Sequence, residues 1–189
     1  LYTYAYDEST GSYSVAAFDG EAAITSALIY VTGADAPRAL FLTGHNELGK
    51  DYCTVLTAQL DRENYEVRSF ELGGAQQLEP GDALIVITPS LDLTASELAE
   101  LQAFLTGGGR MLYVNDPSID LAALPNFAKL LSEAGLGFRG GVVVVEDQSS
   151  IGNYLSGQLY LSPNADEGHE ITAPLAGTRL ILPGTCAMT

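Results

Sequence analysis

Three short polar clusters, each following an apolar run, hold the side chains best suited to chemistry. Thr43-Gly44-His45-Asn46-Glu47 follows Ala39-Leu40-Phe41-Leu42, Thr88-Pro89-Ser90 follows Ala83–Ile87, and Asn115-Asp116-Pro117 follows Met111–Val114. An imidazole beside carboxylates is the usual equipment for moving protons near neutral pH. The same set is also half of a metal site, with His45 and Glu47 as nitrogen and oxygen ligands. The candidate crevice therefore comprises Thr43, Gly44, His45, Glu47, Thr88, Ser90, Asn115 and Asp116. No third or fourth ligand is spaced to complete a metal centre, so neither a metal nor a cofactor is expected. Ser90 lacks the Gly-x-Ser-x-Gly elbow of an exposed nucleophile. Gly107-Gly108-Gly109 leads into a strand rather than a helix and reads as a helix stop, not a phosphate loop.

Each cluster also has a structural reading. Asn46 and Glu47 suit the cap and dipole of a following helix, and this reading is favoured over a catalytic one. Asn115-Asp116-Pro117 suits a strand-ending turn. Cys53 reads as a small packed side chain, and His169, in Glu167-Gly168-His169-Glu170, as a turn residue as readily as a functional one.

The elements that must hold these clusters are legible in the hydrophobic pattern. Residues 1–18 alternate around a polar, Gly-containing centre and predict a β-hairpin carrying Tyr2, Tyr4, Tyr6 and Tyr13. Ile24, Ala27, Leu28 and Val31 follow helical spacing, with Asp19 as N-cap and Gly33 as terminator. Buried strands are expected at Ala39–Thr43, Ala83–Ile87, Met111–Val114 and Val142–Val145, with Tyr65–Leu72 as a further strand. Between them lie helices striped by Tyr52, Val55, Leu56 and Leu60, by Leu98, Leu101 and Leu105, and by Phe127, Leu130, Leu131 and Ala134. Thr94 with Glu97 forms a capping box, and Pro125 occupies a first helical position.

Strands alternating with helices predict a three-layer α/β fold, a mainly parallel, doubly wound sheet with an N-terminal hairpin. With strand order 2-1-3-4-5 the three clusters meet where ligands collect in such sheets, and His45 and Asp116 share one cleft. The predicted organisation is a hairpin over 1–18 and a single α/β domain over 19–189. Within it residues 147–189 are irregular, with strand-like pieces at Gln158–Leu161 and Arg179–Leu182.

Charge narrows the functions further. The 189 residues carry Lys+Arg 8 against Asp+Glu 24, a net charge of −16. Binding by phosphate neutralisation is therefore excluded as a principal mode, and nucleic acids and anionic headgroups are poor partners. Two cysteines, Cys53 and Cys186, are too few for a disulfide framework. No segment reaches the roughly 18–20 apolar residues that span a bilayer. The chain begins at Leu1 rather than Met. It is therefore expected to be a piece of a longer parent.

The order of these pieces resembles one family. Leu40-Phe41-Leu42-Thr43-Gly44-His45-Asn46-Glu47, Tyr65-Glu66-Val67, Pro80-Gly81-Asp82-Ala83-Leu84-Ile85-Val86 with Pro89, Leu93-Thr94 through Arg110-Met111-Leu112, and Asp116-Pro117 are similar to the auxiliary proteins of ABC-type transport systems, the GldG-like group. His169-Glu170-Ile171-Thr172 matches a later motif of that family. Asn46 stands where the family usually has Gly, and Glu170 where it has Pro. The resemblance implies a flavodoxin- or glutamine-amidotransferase-like domain without the amidotransferase cysteine. It also implies a place on the extracytoplasmic face of the membrane, anchored by segments absent from this chain, beside an ABC permease and ATPase. No catalytic residue comes across with it.

The expectation is a non-catalytic domain that binds a partner subunit or the transported substrate. The alternative is a small-ligand or glycan-acting enzyme or binder using His45, Glu47 and Asp116. The tyrosine hairpin is the candidate contact surface; its rival role is packing against the domain's own sheet edge or within a sheet completed by preceding residues.

Overall fold

The computed structural model describes residues 2–7, 10–18, 20–31, 36–144, 159–178 and 180–188. An antiparallel ribbon of β1 (Tyr2–Asp7) and β2 (Ser12–Phe18) comes first, with Tyr4 opposite Val15 and Tyr6 opposite Tyr13. Side chains alternate across a strand, so these four residues share one face. All four are more than half exposed, and the rings of Tyr6 and Tyr13 stand 5.0 Å apart. Helix α1 (Gly20–Val31) follows. Asp19 and Gly33, its expected ends, lie outside the described residues.

The central sheet has the order β4-β3-β5-β6, where β3 is Arg38–Thr43, β4 Glu66–Glu71, β5 Ala83–Ile87 and β6 Arg110–Val114. By position in the chain this is 2-1-3-4, the start of the doubly wound order. β3 runs parallel to both neighbours, with Arg38 opposite Glu66 and Ala39 opposite Ala83. Central strands are covered on both faces, which is why Ala39–Leu42 and Leu84–Ile87 are continuous apolar runs and are buried. The edge strands β4 and β6 instead mix buried or half-buried positions with exposed ones. With flanking helices α2 (Thr54–Arg62), α3 (Ala95–Thr106) and α4 (Pro125–Glu133), this is a three-layer α/β fold.

Two expectations need correction. Val142–Val144 is not a strand of the sheet: Val142 and Val144 are exposed, and the Val143 N–H donates to Thr185 O at 2.8 Å. Gly141, at φ +97°, turns the chain there, after β7 (Phe138–Arg139) has paired with the C-terminal β10 (Ala187–Met188). Val145 lies outside the described residues. The stripe Tyr52-Val55-Leu56-Leu60 also fails in part, because Tyr52 and Val55 are exposed. A single 3-10 turn (Lys50–Tyr52) precedes α2, and Cys53 between them leaves helical geometry (φ −111°, ψ 46°), so residues 52 and 55 do not share a helical face. Of the strand-like pieces near the C-terminus, β8 (Tyr160–Leu161) lies antiparallel to β9 (Leu182–Pro183), so the second piece is a strand only at Leu182; Gln158 and Arg179 lie outside the described residues.

The chain forms two compact units. The first holds residues 1–43, 48–85 and 104–112, and its core includes Leu40, Phe41, Phe70, Leu84 and Phe104. A Cβ at Gly109 would meet the Phe104 ring at 2.3 Å, so any side chain there would force that buried ring to move. At the start of the sheet Arg38 grips Asp82, Nε to Oδ1 at 2.6 Å and Nη2 to Oδ2 at 2.5 Å. The Asp82 side chain is 3% exposed and also accepts the Glu79 N–H. The second unit holds residues 44–47, 86–103 and 113–189. Its core includes Val86, Leu98, Leu101, Phe127, Leu130 and Leu131, each contributing on the order of 1.5–3 kcal/mol by burial.

Candidate functional site

His45 sits in the loop after β3, between Gly44 (φ 116°) and Asn46 (φ 60°), and is 5% exposed. Its carbonyl accepts the N–H groups of Ser90 at 2.9 Å and Leu91 at 3.0 Å. Glu47 folds back on it: Oε2 accepts the His45 N–H at 2.7 Å, and Oε1 lies 3.0 Å from Nδ1. On the other side of the ring, Nε2 is 3.4 Å from Glu97 Oε2. Phe127 meets the imidazole edge to face, centroids 5.9 Å apart. Glu97 is itself fixed by the capping box of α3, accepting the Thr94 N–H at 2.7 Å while its own N–H donates to Thr94 Oγ1. Burial opposes its ionisation, but Thr94 and then His45 outweigh burial and hold the carboxyl below its usual range.

This geometry limits the chemistry. Each ring nitrogen faces a carboxylate oxygen. The two carboxylates also lie at opposite nitrogens and cannot join the ring around one ion. Among the described residues no group of three or more His, Cys, Asp or Glu is placed to hold a metal. Glu47 does not cap the following helix, whose N-cap position, Cys53, makes no side-chain bond.

The Thr43, Asn115 and Asp116 side chains are engaged elsewhere, whereas Thr88 and Ser90 are held through backbone bonds. The Thr43 hydroxyl donates to Phe70 O at 3.0 Å. Thr88 donates its N–H to Val114 O at 2.8 Å, and Ser90 meets His45 only through its backbone. Asp116 is exposed, and its Oδ1 accepts both the N–H and the hydroxyl of Ser118, at 2.8 and 2.5 Å. Chiefly the Ser118 hydroxyl keeps this carboxyl below its usual range. The Asn115 amide donates to Asp116 O at 3.1 Å and reaches Cys186 Sγ at 3.6 Å. Among the described residues no hydrogen bond or ion pair joins His45 and Asp116. The Asp116-Pro117-Ser118 turn consumes the carboxylate locally. His169, exposed, likewise serves its own turn by accepting the Ile171 N–H on Nδ1.

Sequence reasoning missed three partners. Glu97 reads as the third residue of a capping box, Phe127 as core, and Asp92 as loop. Yet Asp92 accepts the N–H groups of Asn126 and Phe127, which anchors the helix end that presents Phe127 to His45. Asp92→Ala should therefore destabilise the chain by about 1–2 kcal/mol in urea unfolding, as lost helix caps do. Thr88, β-branched at φ 49°, is strained by roughly 1–2 kcal/mol. Thr88→Gly should leave the unfolding midpoint unchanged or raise it; a fall of several degrees would mean that the threonine side chain, not the backbone, holds this turn.

A parallel sheet in doubly wound order, flanked by helices, makes this a three-layer α/β domain, and it carries a buried His–carboxylate cluster. The model of the family described as "ABC-type uncharacterized transport system" matches residues 36–185, and the chain belongs to that family, an auxiliary of ABC-type transport. Among solved structures it is similar to one titled "mmIFT52 N-terminal domain", with a TM-score of 0.59 and 19% identity over 80% of this chain and 68% of that one. At that identity the likeness is one of fold. No curated protein matches the chain.

Proposed function

We propose that this chain is a non-catalytic, extracytoplasmic domain of an ABC-type transport system, working by association with a partner subunit or the transported substrate. The observation that carries this reading is the enclosure of His45, the best acid–base candidate of the sequence. It is buried, with both nitrogens and its carbonyl engaged inside the fold. Membership of the transport family supports the setting. The charge of −16 favours a domain that stands off anionic lipid and meets proteins. The exposed Tyr4, Tyr6 and Tyr13 supply large contact area with polar tips, the composition of an interface centre.

Purification of the tagged parent protein in mild detergent should bring down the permease and ATPase subunits of one transporter. Tyr4→Ser, Tyr6→Ser and Tyr13→Ser combined should lower that recovery by about tenfold, equivalent to some 1.4 kcal/mol. Undiminished recovery removes the hairpin from the interface, and no recovery from the unaltered parent removes the association. Protease access from outside intact cells tests the location. Turnover of a glycan or ester substrate, abolished by His45→Ala, overturns the non-catalytic reading.

A further inference from the structure

One cavity in the second unit has no part in the His45 cluster. It is a pocket open to solvent, of about 210 Å³, lined by Asn115, Leu121, Phe138 and Cys186 and by the exposed Asp120 and Arg139, among others. Water occupies roughly 30 Å³ a molecule, so the space suits a ligand of only a few heavy atoms beyond a short side chain. Its wall is partly apolar, from Pro117, Ile119, Leu121 and Phe138.

The charges on the wall are what select a ligand. Arg139 is one of only eight cationic side chains in a chain with 24 carboxylates. Arg38, Lys50, Arg68 and Lys129 each pair with a carboxylate, whereas among the described residues no ion pair engages Arg62, Arg110 or Arg139, and of these three only Arg139 lines the cavity. Asp120, on the same wall, uses Oδ1 to accept the Ala122 N–H at 2.9 Å and does not pair with Arg139. A cation and a carboxylate left unpaired around a small, partly apolar cavity are complementary to a molecule that carries both charges. An acidic chain repels free anions at long range, but a zwitterion with no net charge enters without that penalty.

The structure assigns this cavity, we infer, as a binding site for a small zwitterion with an apolar side chain, an α-amino acid. The ligand carboxylate lies on the Arg139 guanidinium, whose planar fork matches it. Its ammonium lies on Asp120 Oδ2, and its side chain against Phe138 and Leu121. Asn115 is fixed by its bonds to Asp116 and Cys186 and to the Tyr113 hydroxyl at 3.4 Å, so it forms a rigid wall. The site does not depend on the transport reading, since it needs no partner subunit.

Calorimetric titration of the chain with L-leucine, and separately with isocaproate and isoamylamine, tests it. L-leucine should bind saturably, and each single-charge analogue should bind more weakly by about tenfold or more. Arg139→Gln and Asp120→Asn should each weaken leucine binding by a similar factor; asparagine still accepts the Ala122 N–H, so the fold is spared. Cys186 supplies a second readout. Saturating leucine should slow its alkylation by N-ethylmaleimide several-fold and leave that of Cys53 unchanged. Absence of saturable binding by leucine, or binding indifferent to both substitutions, overturns the assignment. Equal binding of isocaproate and leucine overturns the role of Asp120, and with it the zwitterion.

Discussion

Asp82→Ala should be among the most destabilising single changes in the chain, at roughly 3–5 kcal/mol, the cost of leaving one member of a buried ion pair alone. The carboxylate is bound at both oxygens by Arg38 and also accepts the Glu79 N–H. Without it the Arg38 guanidinium, 18% exposed, keeps only the Gln77 carbonyl at 3.3 Å and the exposed Glu79 carboxylate. For a chain of this size the melting temperature should fall by on the order of 10 °C. Asp82→Asn should fall between, because the amide oxygen still accepts one bond.

The same pair fixes the sign of a pH effect. Burial works against the charged Asp82, but Arg38 and the Glu79 N–H outweigh it and hold its pKa below the ordinary value. A carboxyl depressed in the folded state contributes stability that is complete above its unfolded pKa, about 4, and is lost as pH falls through the folded value. Urea unfolding of the native chain and of Asp82→Asn should therefore differ most near neutral pH, and the two should converge as pH drops below about 4. A difference independent of pH over that range would mean that the carboxylate stabilises by shape rather than by charge. Glu97 and Asp116, also depressed, add to the native chain's acid sensitivity with the same sign.

How much of this was legible beforehand depends on the range of the interaction. The central strands announce themselves because burial on both faces removes the need for polar residues, and Ala39–Leu42 and Leu84–Ile87 have none. The capping box at Thr94 and Glu97 and the Pro125 helix start are local and are found where the pattern puts them. Val142–Val144 misleads because β-branched residues fit a pleated surface without specifying a partner, and here Val143 bonds to Thr185. The candidate site divides in the same way. Glu47 beside His45 is a neighbour two residues on, visible in the chain. Glu97, Asp92 and Phe127 reach the cluster only through tertiary packing, and no spacing rule connects them to residue 45. Asp116 fails as a partner because its own turn, through Ser118, is the nearer competitor.

The second large effect should come from His45→Ala, and it separates a structural histidine from a catalytic one. Removing the ring leaves Glu47, whose side chain is 2% exposed, with a single bond to the His45 N–H, and opens a void beside Phe127. Losing the bond to a buried carboxylate and opening that void should together cost about 2–4 kcal/mol. Glu47→Gln should cost about 1 kcal/mol, because its amide oxygen still accepts the backbone N–H. The decisive variant is the pair His45→Leu with Glu47→Gln. The leucine refills the void, and the glutamine removes the stranded carboxylate while still accepting the backbone N–H at position 45, so the pair should recover much of the stability that His45→Ala loses. A ring kept for proton transfer carries no such coupling: its removal abolishes turnover, changes the unfolding free energy by less than about 0.5 kcal/mol, and gains nothing from a second change at Glu47. The geometry favours strong coupling, because the loop carrying His45, the cap of α3 and the end of α4 all converge on this one imidazole.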